Sequence, residues 1–232
     1  MSIVAIITAR GGSKRIPRKN IKEFMGKPML AYAIEAALNS DVFDEVMVST
    51  DDKEIAEIAL KYGASVPFMR SEATANDFAT TADVLKEVIN EYKKLGKIFD
   101  EFCCIYPCVP FLSNKILKEA YEKFKNTNAK SLMPVVKFSF PIQRAVHLNN
   151  EVFLEFREPE HTFTRTQDLE PMYHDVGMFY FINTNEFCDC GSLITNKTAM
   201  FEMEESVIQD IDTLEDWKMA EIKYELLIKK EN

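Results

Sequence analysis

Short apolar runs alternate with helical segments along the first half of the chain, and this alternation restricts the possible folds more than any other feature. Strand-like runs occupy residues 3–8, 46–50, 64–68 and 101–106, and the helical segments that follow them begin near residue 28 or occupy 52–61, 77–94 and 113–125. Strands that alternate with helices in this way form a largely parallel sheet with helices on its faces. The sequence therefore predicts an α/β fold with a mainly parallel sheet flanked by helices.

The pattern changes after residue 131. Shorter segments at 132–136 and 151–156 precede a strand-like run at 178–182 and a closing helix at 213–229. A chain of 232 residues can bury one substantial core. We therefore interpret residues 1–232 as a single domain in which residues at about 137–175 form a small inserted dimerisation lobe.

The charge and cysteine content exclude several classes of protein. The formal net charge of −9 produces an average field that repels nucleic acid and anionic membrane surfaces. No run of 18 apolar residues is present, and the apolar stretch at 3–7 lacks the basic leader and the length of a secretory signal. Five cysteines without paired CxxC spacing indicate reduced thiols rather than disulfides or a zinc site. We predict a cytoplasmic protein with no nucleic-acid or membrane partner.

One local cluster departs from this acidic background. Six of the 13 residues from 10 to 22 are Lys or Arg, shortly after the first predicted strand. Gly11 and Gly12 allow close approach of the backbone, Ser13 adds a hydroxyl, and a loop after a strand can direct backbone N–H groups at phosphate. The segment has neither the GxxxxGK[ST] nor the GxGxxG spacing. A triphosphate is the anion that fits it best, and an exposed, solvated loop is the alternative.

The stretch ARGGSKRIPRKN at 9–20, followed by GKPMLAYAIEAA at 26–37, resembles the first motif of the acylneuraminate (CMP-sialic acid) cytidylyltransferase family. Further similar segments are VSTDD at 48–52, RSEATANDFATT at 70–81, YPCVPF at 106–111 and QDIDTLEDW at 209–217. The resemblance implies a Rossmann-like nucleotidyltransferase fold, that of the nucleotide-diphospho-sugar transferases, with the nucleotide at the C-terminal ends of the strands. It also implies a homodimer, CTP as co-substrate and Mg²⁺ as cofactor.

The same resemblance implies the residues that contact the nucleotide. The first motif holds the triphosphate in the family, which assigns this role to Arg10, Gly12, Ser13, Lys19 and Asn20, with Lys14 and Arg15 as weaker candidates. The segment at 70–81 meets the cytosine and the ribose in the family, which assigns these contacts to Arg70, Asp77 and Thr80 or Thr81. Ser71 replaces the proline that often follows the arginine, so the local geometry of this segment differs from the usual one.

Asp210 and Asp212 are separated by one residue, so on an extended strand both side chains face the same side and can share a divalent ion. Within QDIDTLEDW the resemblance implies that they are the Mg²⁺ ligands. The implied reaction is attack by the anomeric hydroxyl of an acidic 2-keto sugar on the α-phosphorus of CTP, with release of pyrophosphate. Positioning and charge neutralisation by Arg10, Lys19 and the metal would supply the catalysis, and Asp210 is also a candidate base.

Two segments depart from the sialic-acid enzymes and resemble the branch of the family that acts on pseudaminic acid. Tyr106 stands where those enzymes usually carry glutamine, and FTRTQDLEPMYHDVGMFYF at 163–181 replaces their RRQDLP and NGAIY segments. An acidic sugar with acylamino groups needs a cation, amide-type partners and apolar walls. The predicted acceptor-binding residues, some of them in the inserted lobe, are Tyr106, Gln143, Arg165, Gln167, His174 and Asp175.

The sequence thus predicts an enzyme that makes CMP-pseudaminic acid for surface-glycan or flagellin glycosylation. Synthesis of CMP-sialic, CMP-legionaminic or CMP-ketodeoxyoctonate products is the alternative within the family. A module that binds CTP without chemistry is an alternative from another class, and retention of both Asp210 and Asp212 argues against it. A phosphohydrolase is a third, but no nucleophilic aspartate motif lies near the first predicted strand.

Overall fold

Most of the strand-like runs join one seven-stranded sheet in the computed structural model, which describes residues 1–231. We number the strands of this sheet β1 (Ile3–Thr8), β2 (Glu45–Ser49), β3 (Glu101–Ile105), β4 (Ser131–Lys137), β5 (Tyr173–Asp175), β6 (Phe179–Asn183) and β7 (Thr198–Glu202). Their order across the sheet is β7-β4-β6-β3-β1-β2, and β5 pairs with β4.

Most of these strands run in the same direction. Strand β1 is parallel to both β2 and β3, and β4 is parallel to β7. Strand β6 is antiparallel to β3 and β4, and β5 is antiparallel to β4. The predicted mainly parallel sheet is therefore confirmed. Because parallel strands end at the same edge, the loops that follow β1, β2 and β3 meet at one side of the sheet.

Helices cover both faces of the sheet. They are α1 (Met29–Leu38), α2 (Lys53–Lys61), α3 (Glu72–Ala75), α4 (Thr81–Lys94), α5 (Asn114–Asn126), α6 (Thr184–Cys190) and α7 (Leu214–Glu231). Alternate residues of β1 enter opposite cores, as the period of a strand requires. Ile7 packs in the core that contains Leu30 of α1, whereas Ile6 packs in the core that contains Leu85 of α4. No helix within residues 1–231 has the length and apolar character needed to cross a membrane.

Three predicted elements differ from the observed ones. The helix predicted at 77–94 begins at Thr81, because Thr80 and Asp83 form a capping box that fixes its start. The run at 64–68 forms only an isolated bridge between Ser65 and Met47, and Pro67 has no N–H to extend the pairing. Of the run at 151–156, only Leu154–Phe156 is a strand, which pairs with Val146–Leu148 in a separate hairpin.

The segment between β4 and β5, residues 138–172, projects as short 3-10 turns and this hairpin. It leaves large apolar side chains in water, with Phe140 85% exposed and Phe163 96% exposed. A third core lies beside the loop at 9–22, where Trp217 of α7 packs against Phe24 with ring centroids 5.5 Å apart. Ile16 and Ile211 are buried in the same core. This packing brings residues 209–212 next to the loop at 9–22.

Candidate active site

A cavity of about 500 Å³ opens between the loop at 9–22 and the segment at 70–81, beyond the C-terminal end of β1. All the predicted nucleotide residues except Gly12 and Thr80, the alternative to Thr81, contribute to its lining, namely Arg10, Ser13, Lys14, Arg15, Lys19, Asn20, Arg70, Asp77 and Thr81. A Cβ atom added to Gly12 would meet no atom within 4 Å, so the backbone there is open to approach. We call this space the nucleotide cavity.

Two hydrogen bonds and one buried side chain fix the conformation of the loop at 9–22. Asn20 Nδ2 donates to the carbonyl oxygen of Arg10 at 2.8 Å and so ties the two ends of the loop together. The Gly11 N–H donates to the Asp51 carboxylate at 3.0 Å. Ile16 is fully buried between these ends. A buried apolar residue in the middle of a basic segment anchors the loop while most of its cations stay at the surface of the cavity.

Two of these cations contact the opposite wall of the cavity. Arg10 Nη1 donates to Asp77 Oδ1 at 2.8 Å, and Lys14 pairs with the other oxygen of the same carboxylate. The hydrogen bond from Lys14 is the main reason that the pKa of Asp77 lies below its ordinary value. Asp77 precedes α4 and projects from the loop that ends at its N-cap. The cations thus converge on one carboxylate, and a polyphosphate offers the same kind of partner.

Arg70 forms the buried floor of the nucleotide cavity. Its Nη2 donates to the Ser49 carbonyl oxygen at 2.6 Å and its Nε to Ser49 Oγ at 3.1 Å. Burial lowers the pKa of this guanidinium, which nevertheless stays charged at neutral pH. The neighbouring Ser71, which replaces the family proline, donates its N–H to Glu87 at 2.7 Å and its hydroxyl at 2.9 Å. Proline has neither donor, so these two hydrogen bonds to α4 are specific to the serine, and they restrain a backbone that proline would restrain through its ring.

A second cavity, of about 760 Å³, lies beside the first and is bounded by β4, β5 and the segment at 205–210. Four predicted residues contribute to its lining, namely Tyr106, His174, Asp175 and Asp210. The lining also includes residues that the sequence did not single out for the acceptor, among them Lys137, Phe138, Phe140, Tyr180 and Lys223. We call this space the acceptor cavity. It combines cations, carboxylates and aromatic walls, as an acidic sugar requires.

Hydrogen-bonding side chains connect the two cavities. Tyr106 Oη lies 3.5 Å from Thr81 Oγ1, which belongs to the nucleotide cavity. Tyr180 donates its hydroxyl to Asp175 Oδ2 at 2.6 Å, and the Gly177 N–H donates to Asp175 Oδ1 at 2.8 Å. Burial raises the pKa of both tyrosines, so each remains a neutral hydroxyl at neutral pH. Tyr180 belongs to the strand-like run predicted at 178–182 and is 4% exposed, but it also contributes to the lining of the acceptor cavity.

Three predicted acceptor residues do not lie in the acceptor cavity. Gln143 donates its Nε2 to the Glu170 carbonyl oxygen at 2.8 Å within the lobe. Arg165 and Gln167 are exposed in or beside the turn Thr166–Asp168. The lobe extends away from the sheet through short turns, and its direction was not readable from the sequence. These three residues line neither cavity, and their contacts with the acceptor stay a prediction.

Asp210 and Asp212 lie where the two cavities meet. Asp210 contributes to the acceptor cavity. Asp212 Oδ2 lies 2.7 Å from Arg15 Nη1 and its Oδ1 lies 3.6 Å from Lys19 Nζ, and both of these cations line the nucleotide cavity. Ile211 between them is 2% exposed and anchors the pair in the third core. Residues 210–212 do not form a strand. Asp210 is exposed, Ile211 is buried and Asp212 is half-buried, and this alternation is that of an extended backbone.

The two carboxylates fit one kind of metal site. Within residues 1–231, no group of three or more His, Cys, Asp or Glu side chains is close enough together to hold a metal ion. Mg²⁺ is commonly held by one or two carboxylates together with substrate phosphates and water. Asp210 and Asp212 therefore fit a metal that is shared with a bound triphosphate, and they do not fit an ion enclosed by protein ligands alone.

Cys108 lies beside the loop at 9–22, where its Sγ donates to Asn20 Oδ1 at 3.2 Å. Burial raises the pKa of this thiol to about 12, so it is a neutral donor at neutral pH rather than a nucleophile. Cys103 and Cys104 fill the buried strand β3, and all five cysteines are free thiols.

Comparison with known proteins identifies the family of this chain. The family model described as cytidylyltransferase matches residues 4–231. The pseudaminic acid cytidylyltransferase of Campylobacter jejuni subsp. jejuni serotype O:2 is 42% identical over 226 residues, which cover 97% of this chain and 97% of that protein. The CMP-N,N'-diacetyllegionaminic acid synthase of Legionella pneumophila is 35% identical over 238 residues, with 97% of each chain covered.

Solved structures agree on the fold. A CMP:2-keto-3-deoxy-manno-octonic acid synthetase complexed with CTP superposes with a TM-score of 0.71 at 19% identity and covers 100% of both chains. A 4-diphosphocytidyl-2C-methyl-D-erythritol synthase from Anaerococcus prevotii gives a TM-score of 0.65 at 16% identity, over 97% of this chain and 98% of that one. At these identities the likeness shows the fold alone, which is the predicted nucleotidyltransferase fold. Together with the family match across almost the whole sequence, these findings establish that the chain belongs to the cytidylyltransferase family.

Proposed function

We propose that the protein transfers CMP from CTP to pseudaminic acid, giving CMP-pseudaminic acid and pyrophosphate for surface-glycan or flagellin glycosylation. The observation that carries the proposal is the junction of two cavities at Asp210 and Asp212, one lined by cations and the other by mixed polar and aromatic side chains. Such a junction suits transfer from a triphosphate to an acidic sugar. The 42% identical relative from Campylobacter jejuni supports the choice of sugar.

The transfer needs no covalent enzyme intermediate. The anomeric oxygen of the sugar attacks the α-phosphorus of CTP, the bond from this phosphorus to the oxygen that bridges to the β-phosphorus breaks, and pyrophosphate leaves. Arg10 and Lys19 line the nucleotide cavity, where they neutralise the charge that develops on the leaving pyrophosphate. Asp210 lines the acceptor cavity and accepts the proton of the anomeric hydroxyl.

We further propose Mg²⁺ as the cofactor, held by Asp210 and Asp212. When bound, Mg²⁺ supplies charge neutralisation at the phosphate oxygens. Ion pairs with Arg15 and Lys19 hold the Asp212 carboxylate at the edge of the nucleotide cavity.

In the acceptor cavity, we assign recognition of the sugar to three kinds of lining residue. Lys137 and Lys223 supply positive charge for the sugar carboxylate, and Phe138 and Phe140 supply an apolar wall. Asp175 is held by Tyr180 and the Gly177 N–H, and each of its oxygens can accept a further hydrogen bond from a hydroxyl or amide of the sugar. Tyr106 and His174 complete the polar lining.

A screen of pyrophosphate release with CTP, Mg²⁺ and a panel of nine-carbon sugar acids, with ketodeoxyoctonate added, tests this proposal. We expect pseudaminic acid to give the highest kcat/KM, because the acceptor cavity differs from that of the sialic-acid enzymes at Tyr106. Turnover of N-acetylneuraminic or legionaminic acid at least as fast as that of pseudaminic acid would contradict the choice of sugar. CTP binding that is independent of Mg²⁺, without pyrophosphate from any sugar, would instead indicate a CTP-sensing module.

We also propose a cytoplasmic homodimer that associates through the lobe at 138–172. Its large exposed apolar side chains, such as Phe140 and Phe163, form a surface that a monomer leaves in water. Light scattering should give about twice the chain mass of 26.7 kDa. The replacement Phe163→Asp is expected to shift the protein toward monomer, whereas a wild-type monomer at micromolar concentration would refute the dimer.

A further inference from the structure

One arginine of the basic loop turns away from the nucleotide cavity. Arg18 is not part of the cavity lining, and its guanidinium reaches the start of α2. It donates to both carboxylate oxygens of Asp52, with Nη2 3.1 Å from Oδ1, and also to Glu54. A bidentate arginine–carboxylate pair fixes the orientation of the guanidinium as well as its distance from the carboxylate. The function proposed above leaves this pair without a role.

The backbone at Arg18 makes the turn that leads into Lys19 and Asn20. Its φ of +56° lies in the left-handed region, which residues other than glycine rarely adopt. Its carbonyl oxygen accepts the N–H groups of Ile21 and Lys22, each at 2.9 Å. A side chain tied to Asp52 holds this uncommon backbone conformation in place.

Asp52 is itself fixed to the body of the protein. Its carboxylate accepts the N–H of Ile55 at 3.0 Å and so caps α2. A Cβ atom added to Gly11 would lie 2.7 Å from Asp52 Oδ2, so the loop also packs against this carboxylate at Gly11. Asp52 therefore contacts the loop at two points, next to Arg10 and next to Lys19, the two cations assigned to the leaving pyrophosphate.

We propose that Arg18 is a positioning residue, and that its pairing with Asp52 holds the loop in the shape that presents Arg10 and Lys19 to the triphosphate. This inference rests on the proposed function, because it assumes that CTP occupies the nucleotide cavity. When either partner is removed, CTP has to order the loop as it binds, and this ordering weakens its affinity.

A double-mutant cycle on the full-length protein, read out by calorimetric titration of CTP with Mg²⁺, tests the proposal. Arg18→Ala and Asp52→Asn are each expected to raise the Kd for CTP about tenfold, and the double variant by the same factor, because the second change removes nothing further. Asparagine is as good an N-cap as aspartate, so α2 keeps its start. On charge alone, Asp52→Asn should tighten CTP binding, which makes the expected weakening decisive.

Controls separate positioning from direct contact and from misfolding. Lys53→Ala removes a neighbouring exposed cation and should leave the Kd unchanged. Arg18→Lys keeps the charge but cannot form a bidentate pair with Asp52, so we expect an intermediate rise in the Kd for CTP. The kcat of this variant at saturating CTP should be close to that of the wild type. Unchanged or tighter CTP binding in Asp52→Asn, or additive losses in the double variant, would overturn the proposal. Absence of CTP binding in the wild type would instead refute the proposed function.

Discussion

Replacing Asp212 with alanine is expected to lower kcat for CMP transfer roughly 100- to 1,000-fold, the range observed when a preorganised electrostatic group at a reacting centre is lost. Asp212 is one of two carboxylates at the junction of the cavities, and no cluster of three potential ligands exists within residues 1–231 to replace it. Its removal takes away half of the proposed protein ligands of Mg²⁺. Pyrophosphate release at saturating CTP and sugar measures the loss.

The same substitution should have a different effect on metal-free nucleotide binding. Asp212 pairs with Arg15 at 2.7 Å and with Lys19 at 3.6 Å, so its loss leaves two cations free to bind the triphosphate. CTP titrated in the presence of a chelator should therefore bind to Asp212→Ala as tightly as to the wild type, or more tightly. A metal ligand predicts this split between turnover and metal-free affinity, whereas a carboxylate that only aligns the two cations predicts that both fall together.

Glu215→Ala provides the matched control. Glu215 is exposed on the first turn of α7, three residues beyond Asp212, and its replacement removes the same charge. Wild-type turnover is expected for this variant. If Asp212→Ala also turns over at the wild-type rate, the assignment of the metal site is wrong.

The fold was readable from the sequence because its strands are buried on both faces and alternate with helices. Every residue of β3 is buried, and its apolar run Phe102–Ile105 is typical of strands inside a parallel sheet. The errors occurred where a few hydrogen bonds decide an element's limits. The capping box at Thr80 moved the start of α4 past Asp77, and Pro67 reduced the strand predicted at 64–68 to a bridge.

The nucleotide cavity was also predictable, because one continuous loop supplies most of its cations. The acceptor cavity was only partly predictable, since its lining comes from distant parts of the chain that have no shared local pattern. Lys137 ends β4 and Lys223 lies in α7, and only the packing of α7 brings them together. Arg18 shows that a cluster of cations in the sequence can include one that does not face the cavity. It was counted with the cations of the loop, but its side chain turns toward Asp52.

Arg10→Ala is expected to lower kcat/KM for CTP roughly 100- to 1,000-fold, equivalent to about 3–4 kcal/mol of transition-state stabilisation. Arg10 lies two residues after the end of β1, and its position is fixed by the hydrogen bond from Asn20 to its carbonyl oxygen. Charge builds on the pyrophosphate as the bond to the α-phosphorus breaks, so a guanidinium held at this point stabilises the transition state more than bound CTP. The larger part of the loss should therefore appear in kcat, measured with both substrates saturating.

Lys14→Ala is the matched control for Arg10→Ala. Both cations contact the same carboxylate, Asp77, but the side chain of Lys14 is 77% exposed, whereas that of Arg10 is 39% exposed. An exposed ammonium is well solvated and contributes little to an ion pair, so Lys14→Ala should change kcat/KM only a few-fold. Equal losses in the two variants would mean that the loop attracts CTP by its total charge. A loss confined to KM in Arg10→Ala would mean that Arg10 binds CTP but does not stabilise the leaving pyrophosphate.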